Sequence, residues 1–387
     1  MLLPGIAVAA VALTGVGLSP AGEQPASAAA ADGPVTVVAA EAESVAARAE
    51  QLAEGMDVRE LAGTIVMGHY GARHPDTAAS YMADNRIGGF LLMGSNVTDE
   101  EQVRDFAAAL AGDPSLPALV AIDQEGGGVS RLYWDDFPAG SELAEADPAE
   151  ARAAFAARGS LVARAGAGVN FGIVADATDD PSSFISDRVL GTDPTGAAER
   201  VTGAVEGEAP FAQSTLKHFP GHGEVTEDSH RTIPIAEQSL EDWKATTASP
   251  FQAGIEAGAP LVMMGHLVYP SVSDQPASLS PEWYRVLRED LGFTGVAATD
   301  DLGMLLSSGD DRYADPVGNA VSAVAAGADL VVMVVRSDYD TAGQLADGIA
   351  GAVDAGIIPE TRLREAAQRV LALRLELSGR SVLLPTD

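Results

Sequence analysis

The chain is predicted to fold as a single-domain (β/α)8 TIM-type barrel of the α/β class, and three observations carry that expectation. Eight short apolar runs recur from about Glu50 onward, helical patterns separate them, and ionisable residues crowd where the runs end. A run that is apolar throughout, rather than at alternate positions, suits a strand covered on both faces, as in a parallel sheet.

The runs are TIVMG from Thr64, GGFLLMG from Gly88, ALVAID from Ala118, VNFGIVAD from Val169, STLKHF from Ser214, PLVMMGH from Pro260, GVAATDD from Gly295 and DLVVMVV from Asp329. Between them EEQVRDFAAALAG, EARAAFAARGSLVARAGA, SPEWYRVLREDLG and NAVSAVAAGA have the apolar spacing and the glycines that suit helices and their ends. The stretch from Pro316 to Leu377 is expected to supply the last helix, strand and helices, with no length for another full domain. A doubly wound open sheet is the rival architecture. It would bind ligands at a switch point, usually with a glycine-rich phosphate turn after the first strand, and no G-x-G-x-x-G stands there. Gly126 to Gly128 reads instead as a tight backbone turn.

The 387 residues are 47% apolar, enough for a sizeable core. Acidic residues number 56 against 23 basic, a net charge of −33, which repels nucleic acid and anionic membrane surfaces. The absence of cysteine excludes disulfides, thiolate metal sites, cysteine nucleophiles and lipid attachment through cysteine. The apolar run from Ile6 to Leu18, followed by small residues at Ala26 to Ala30, reads as an export signal too short to span a membrane. No Lys or Arg precedes Arg48, so the usual positive leader is missing and the true start is expected upstream. The expected organisation is a signal over 1–30, an alanine-rich acidic linker or added helix over 31–50, and a barrel over 51–380, secreted and monomeric.

A barrel gathers its chemistry at the carboxyl ends of its strands. Those ends carry Asp123, Asp176, Lys217 with His218, His266, and Asp300 with Asp301, from five different strands. Three of the six histidines fall in one segment, KHFPGHGEVTEDSHR from Lys217 to Arg231. Its glycines and Pro220 are read as hinges that let a reactive imidazole approach and withdraw.

These motifs resemble those of glycoside hydrolase family 3, specifically its single-barrel bacterial β-N-acetylglucosaminidases. KHFPGHG followed by DSH and Pro234 is similar to that group's signature, and IDQEGGGVSR to its D-x-E-G-G-R-V-x-R segment. NFGIVAD, SDR at Ser186 to Arg188, MMGHLVYP with PASLS, and ATDDLGM follow in the family's order, so the likeness runs from about Leu61 to Leu375. It implies a retaining hydrolysis of terminal β-N-acetylglucosaminides. Asp300 matches the family's nucleophile, His230 its general acid/base, and Asp228 the aspartate that polarises that histidine. Such chemistry needs one anionic nucleophile and one proton donor, and imidazole gives and retakes a proton near neutral pH.

The resemblance assigns sugar binding to Asp123, Arg131, Arg188, Lys217 and His218, with no metal and no cofactor. Beside it, Asp301 is read as a helix-capping or supporting carboxylate, and His222 and His266 as hydrogen-bonding partners of the loop or the strand end. The implied substrate is a small carbohydrate, an N-acetylglucosamine-containing oligosaccharide or muropeptide. Gly128 departs from the family's usual arginine and Glu224 from its commoner aspartate, which leaves substrate preference open.

Four alternatives stand beside this reading. A phosphorylase would show phosphate-dependent product formation, and a β-glucosidase of the family would commonly take its acid/base from an additional domain. A metal-dependent barrel hydrolase would use His218, His266 and Asp300 as ligands, although the first strand lacks the H-x-H pair such enzymes often carry. A non-catalytic sugar-binding protein would have no need of Asp300.

Overall fold

Each of the eight apolar runs is a strand. A computed structural model describes residues 45–380, in which β1 (Val66–Gly68), β2 (Gly89–Leu92), β3 (Leu119–Ile122), β4 (Val169–Val174), β5 (Gln213–Phe219), β6 (Leu261–Met264), β7 (Val296–Thr299) and β8 (Val331–Val332) pair in parallel. Their sheet order is β7-β6-β5-β4-β3-β2-β1-β8. The ends meet through a parallel bridge between Ala298 and Leu330, with the Thr299 N–H donating to the Leu330 carbonyl at 2.9 Å. The sheet is therefore a nearly closed barrel, as the alternation predicts.

Local chemistry starts the surrounding helices. Asp-Pro or Ser-Pro pairs open the helices Pro148–Arg164, Pro194–Glu208, Pro281–Arg285 and Pro316–Ala326, where the acidic or hydroxyl side chain accepts a free backbone N–H and proline fills the first turn. Part of the acidic surplus is thus cap chemistry. The segment expected as one helix over 280–292 divides into Pro281–Arg285 and a π-helical turn, Val286–Asp290. Arg288 leaves that turn to reach the carbonyls of Phe293 and Gly295 and the buried carboxylate of Asp329, a tie that sequence periodicity does not encode.

Asp329 lies just before β8 and holds three guanidiniums, those of Arg288, Arg362 and Arg369, the latter two at 2.6 and 3.0 Å. This cluster ties the last helix, Glu360–Arg380, to the amino end of the barrel, the end that serves stability in this fold.

Of the segment expected as a linker or added helix over 31–50, the structure describes residues 45–50, and these are helical. Residues 45–54 form a helix, and Ala49 and Ala53, one turn apart, are buried in the main core. The expected export signal over 1–30 lies outside the described residues. Among the described residues no helix is long and apolar enough to cross a membrane.

Candidate active site

One cavity, of about 160 Å³, opens at the carboxyl ends of the strands. Leu91, Phe171, Met263 and Val332, one from each even-numbered strand, line its inner wall. Alternate strands supplying one layer is the packing rule of this barrel. Around that wall stand Asp123, Glu125, Arg131, Arg188, Lys217, His218, His230 and Asp300. Every residue expected to touch sugar or perform chemistry reaches the cavity, and Asp228 reaches it through His230.

The charges are tightly paired. Lys217 Nζ donates to Asp123 at 3.0 Å and lies 2.6 Å from Glu125, while Arg131 donates to the other Asp123 oxygen at 3.2 Å. Arg188 grips Glu125 with two parallel N–H bonds of 2.8 and 2.7 Å. Burial works against ionising Asp123, but Lys217 and Arg131 outweigh it and hold the carboxyl at about 2. Glu125 is likewise held below its ordinary value by Lys217 and Arg188 against burial, and Lys217 is held above its own by the two carboxylates. The cavity lining carries four carboxyl groups, Asp123, Glu125, Asp300 and Asp301, and three cations, Arg131, Arg188 and Lys217, so most of its buried charges have an opposite partner.

His218 is fixed in one protonation state. Its Nδ1 lies 2.7 Å from Asp176, which as a carboxylate accepts, and its Nε2 lies 3.3 Å from an Arg188 N–H that can only donate. The ring is therefore neutral with its proton on Nδ1, and burial and the Arg188 charge push its pKa well below the usual value. Asp176 is fully buried and also accepts the His222 backbone N–H at 2.6 Å. Lys217 and His218 both reach the cavity, and the peptide between them is cis.

Asp300 follows β7, its backbone N–H tied to the Met264 carbonyl of β6 at 2.9 Å. The Asp301 N–H donates to its Oδ1 at 2.7 Å. Burial raises the carboxyl, but neighbouring His266, His218, that N–H and Lys217 hold it below its ordinary value, so it is an anion at neutral pH. Asp301 is occupied elsewhere, accepting N–H bonds from Gly303, Val334 and Val335 at 2.9, 2.7 and 2.9 Å. It caps the Leu302–Ser307 helix and clamps the turn after β8, and burial raises its carboxyl to about 6.

His230 stands on the loop after β5, 55% exposed, with Nδ1 at 2.7 Å from Asp228. Nδ1 faces the carboxylate, which leaves Nε2 as the nitrogen free to exchange a proton. His230 itself lowers the Asp228 carboxyl against the effect of burial, through backbone and side-chain hydrogen bonds.

Several expectations need correction. Gly221 and Gly223 are close-approach positions rather than free hinges: a Cβ would meet Thr247 Cγ2 at 2.4 Å in the first and the Ala177 carbonyl at 1.9 Å in the second. The turn between them and β5 is pinned by Trp243 Nε1–H donating to the Pro220 carbonyl and the Tyr269 hydroxyl to that of Gly221, at 2.7 and 2.6 Å. The His222 ring makes no hydrogen bond among the described residues, and its backbone N–H is what ties the loop to Asp176. His266 does bond the strand end, Nε2–H donating to the Asp301 carbonyl at 2.9 Å and Nδ1 accepting from Ser278 at 2.7 Å. The nitrogens of His218 and His266, which the metal-dependent alternative would use as ligands, bond protein groups in this arrangement.

Glu125 carries no role in the sequence reading, and Asp176 figures there only as a strand-end residue without an assigned one. The available signal for Glu125 was a second carboxylate two positions after Asp123, and for Asp176 its place at the end of a strand. At Gly128 a Cβ would meet nothing within 4 Å, so a side chain can begin there without a clash.

The model for the Glycosyl hydrolase family 3 N terminal domain matches residues 50–373. The chain belongs to this family. It is therefore a glycoside hydrolase. A beta-hexosaminidase of Stenotrophomonas maltophilia (strain R551-3) is 35% identical over 254 residues, covering 63% of this chain and 76% of that protein. Another, from Xylella fastidiosa (strain M23), is 33% identical over 280 residues, covering 70% and 82%. Among solved structures, a family 3 beta-N-acetylglucosaminidase from Paenibacillus sp. str. FPU-7 aligns with a TM-score of 0.78 at 31% identity, covering 86% of this chain and 64% of that one. A beta-N-acetylhexosaminidase from Beutenbergia cavernae DSM 12333 aligns at 0.72 and 27%, covering 82% and 98%.

Proposed function

We propose that this family 3 glycosidase is a retaining exo-β-N-acetylhexosaminidase, with Asp300 as nucleophile and His230, polarised by Asp228, as general acid/base. The observation that carries the reading is that Asp300 and His230, from different loops, open onto one cavity whose remaining polar wall is a set of paired, fixed charges.

In the first half of the reaction an Asp300 oxygen bonds to the anomeric carbon as the glycosidic C–O bond breaks, and the His230 Nε2 proton passes to the departing oxygen. In the second half water gives a proton back to Nε2 and its oxygen displaces Asp300, restoring the enzyme and the β configuration. Asp123, Arg131, Arg188, Lys217 and His218 supply donors and acceptors for the hydroxyls and the N-acetyl group. Their rigidity favours a substrate that satisfies them and penalises one that leaves a buried charge unpaired. The amino-terminal apolar run supports export, and with it cell-wall or chitin-derived amino-sugar fragments as the material cleaved.

The test compares hydrolysis of chromogenic N-acetyl-β-glucosaminide and β-glucoside by purified protein in phosphate-free buffer. The reading expects a strong preference for the N-acetylated sugar without phosphate. Equal rates, preference for glucoside, or a requirement for phosphate would overturn it.

A further inference from the structure

We propose that Phe184 is a positioning residue for the proton shuttle, a fixed aromatic platform that orients the His230 imidazole and connects it to the sugar-gripping Arg188. The proposal rests on the functional reading above and adds a residue that the sequence motifs leave without a role.

His230 is weakly held by its own loop. Apart from a bond of 3.5 Å from the neighbouring Thr226 hydroxyl to Glu227, residues 227–233 make hydrogen bonds only among themselves in the described structure, and the His230 ring's partner is Asp228, two positions back on that same loop. A dyad tethered only to itself would move as a unit. A ring contact outside the loop is Phe184, which meets the imidazole edge to face, centroids 5.5 Å apart at 76°. That geometry places ring hydrogens against a π face, the preferred aromatic arrangement.

Phe184 is anchored where His230 is not. It packs on Val174, Ile185 and Val189, an apolar cluster separate from the main core that joins the loop after β4 to that strand. Its N–H donates to the Thr226 carbonyl at 3.3 Å, and the Ser183 hydroxyl donates to that of Val225 at 2.8 Å. The two loops are thus joined immediately before the dyad.

The same ring also touches the sugar-binding side. The Arg188 guanidinium carbon lies 5.4 Å from its centroid, within cation–π range. The His222 ring lies 5.0 Å from it and 6.0 Å from the His218 ring, with no hydrogen bond of its own, so it acts as a buried flat spacer. Rings therefore run in contact from the neutral sugar-binding imidazole to the shuttle imidazole. Loss of Phe184 bares one face of Arg188, which Glu125 still holds with two hydrogen bonds, and leaves Asp300 in place while freeing the orientation of the proton donor. Only cleavage that needs a proton should then suffer.

The experiment measures kcat/KM on two N-acetyl-β-glucosaminides, one with 2,4-dinitrophenol as leaving group, which departs without protonation, and one with 4-methoxyphenol, which needs it. Wild type, Phe184→Ala, Phe184→Leu, Phe184→Tyr and His230→Ala are compared, with melting temperatures recorded for each. A misplaced catalytic group can cost on the order of 10²-fold, so Phe184→Ala is expected to lose about 10- to 100-fold on the methoxyphenyl substrate and less than about 3-fold on the dinitrophenyl one. Phe184→Leu should show the same split and Phe184→Tyr should restore activity, which decides the matter if the alanine variant does not fold. Equal losses on both substrates, or none on either, while His230→Ala shows the split, would overturn the role of Phe184 alone. A His230→Ala variant without the split, or a wild type inert on both, would instead overturn the functional reading and this inference with it.

Discussion

Asp176 holds His218 from behind: the imidazole Nδ1–H reaches its carboxylate across 2.7 Å, while the same carboxylate takes the His222 backbone N–H at 2.6 Å. One buried aspartate thereby sets the tautomer of the His218 ring and the path of the loop beyond it. Asp176→Asn turns one acceptor oxygen into an N–H donor facing other donors. An unsatisfied buried group costs about 1–3 kcal/mol, so urea unfolding should show a loss of that size. Binding of N-acetylglucosamine, followed by calorimetry, should weaken in the folded variant. An unchanged unfolding midpoint would contradict this assignment.

Glu125 ties Arg188 and Lys217 together from the centre of the cavity wall. Glu125→Gln keeps the shape but leaves two cations sharing one carboxylate less. Removing one member of a buried charge pair costs about 2–5 kcal/mol, so kcat/KM is expected to fall by at least about tenfold, mainly through KM. Steady-state kinetics checks this, and unaltered KM would contradict it.

Glu208 carries a pH dependence that belongs to folding rather than catalysis. It is fully buried beside Asn170, which donates to Oε1 at 2.6 Å, and burial raises its carboxyl from 4.5 to about 8. Between those values the folded chain keeps a proton that the unfolded chain releases, so its contribution to stability falls as pH rises from 4.5 through about 8. Glu208→Gln, permanently neutral, should gain melting temperature over wild type as pH is raised from 5 to 8.5. A constant difference across that range would contradict the shift.

Asp329 is the single carboxylate between Arg288, Arg362 and Arg369 at the amino end of β8. Asp329→Ala removes the buried carboxylate that three part-buried guanidiniums share, while Arg362 keeps Glu365 at 3.4 Å and Arg288 keeps the Phe293 and Gly295 carbonyls, so the expected cost in urea denaturation is about 1–3 kcal/mol. The cluster lies away from the cavity, so KM of the folded variant should not change. A large KM change with little loss of stability would reverse this assignment.

The barrel was legible because a parallel sheet buries both faces and writes its strands as unbroken apolar runs. The cavity residues were legible because ionisable side chains closed those runs. What was not legible depended on how loops fold back. Nothing local to Glu125 shows that Arg188, sixty-three positions on, will clasp it, and nothing local to Arg288 shows that a π turn will send it to Asp329. The glycines of KHFPGHG were read as hinges because sequence reports their freedom but not the Ala177 carbonyl or the Thr247 methyl that needs the space. The His222 ring was given a hydrogen bond because its burial against Phe184 comes from two separate loops.

The central claim is that Asp300 attacks the anomeric carbon. Incubation with a slow fluorinated N-acetylglucosaminyl substrate, followed by peptide mass spectrometry, tests it most directly. The account predicts one sugar bound covalently to the peptide bearing Asp300 and none in Asp300→Ala. An adduct on another residue, or one that persists in Asp300→Ala, would contradict it.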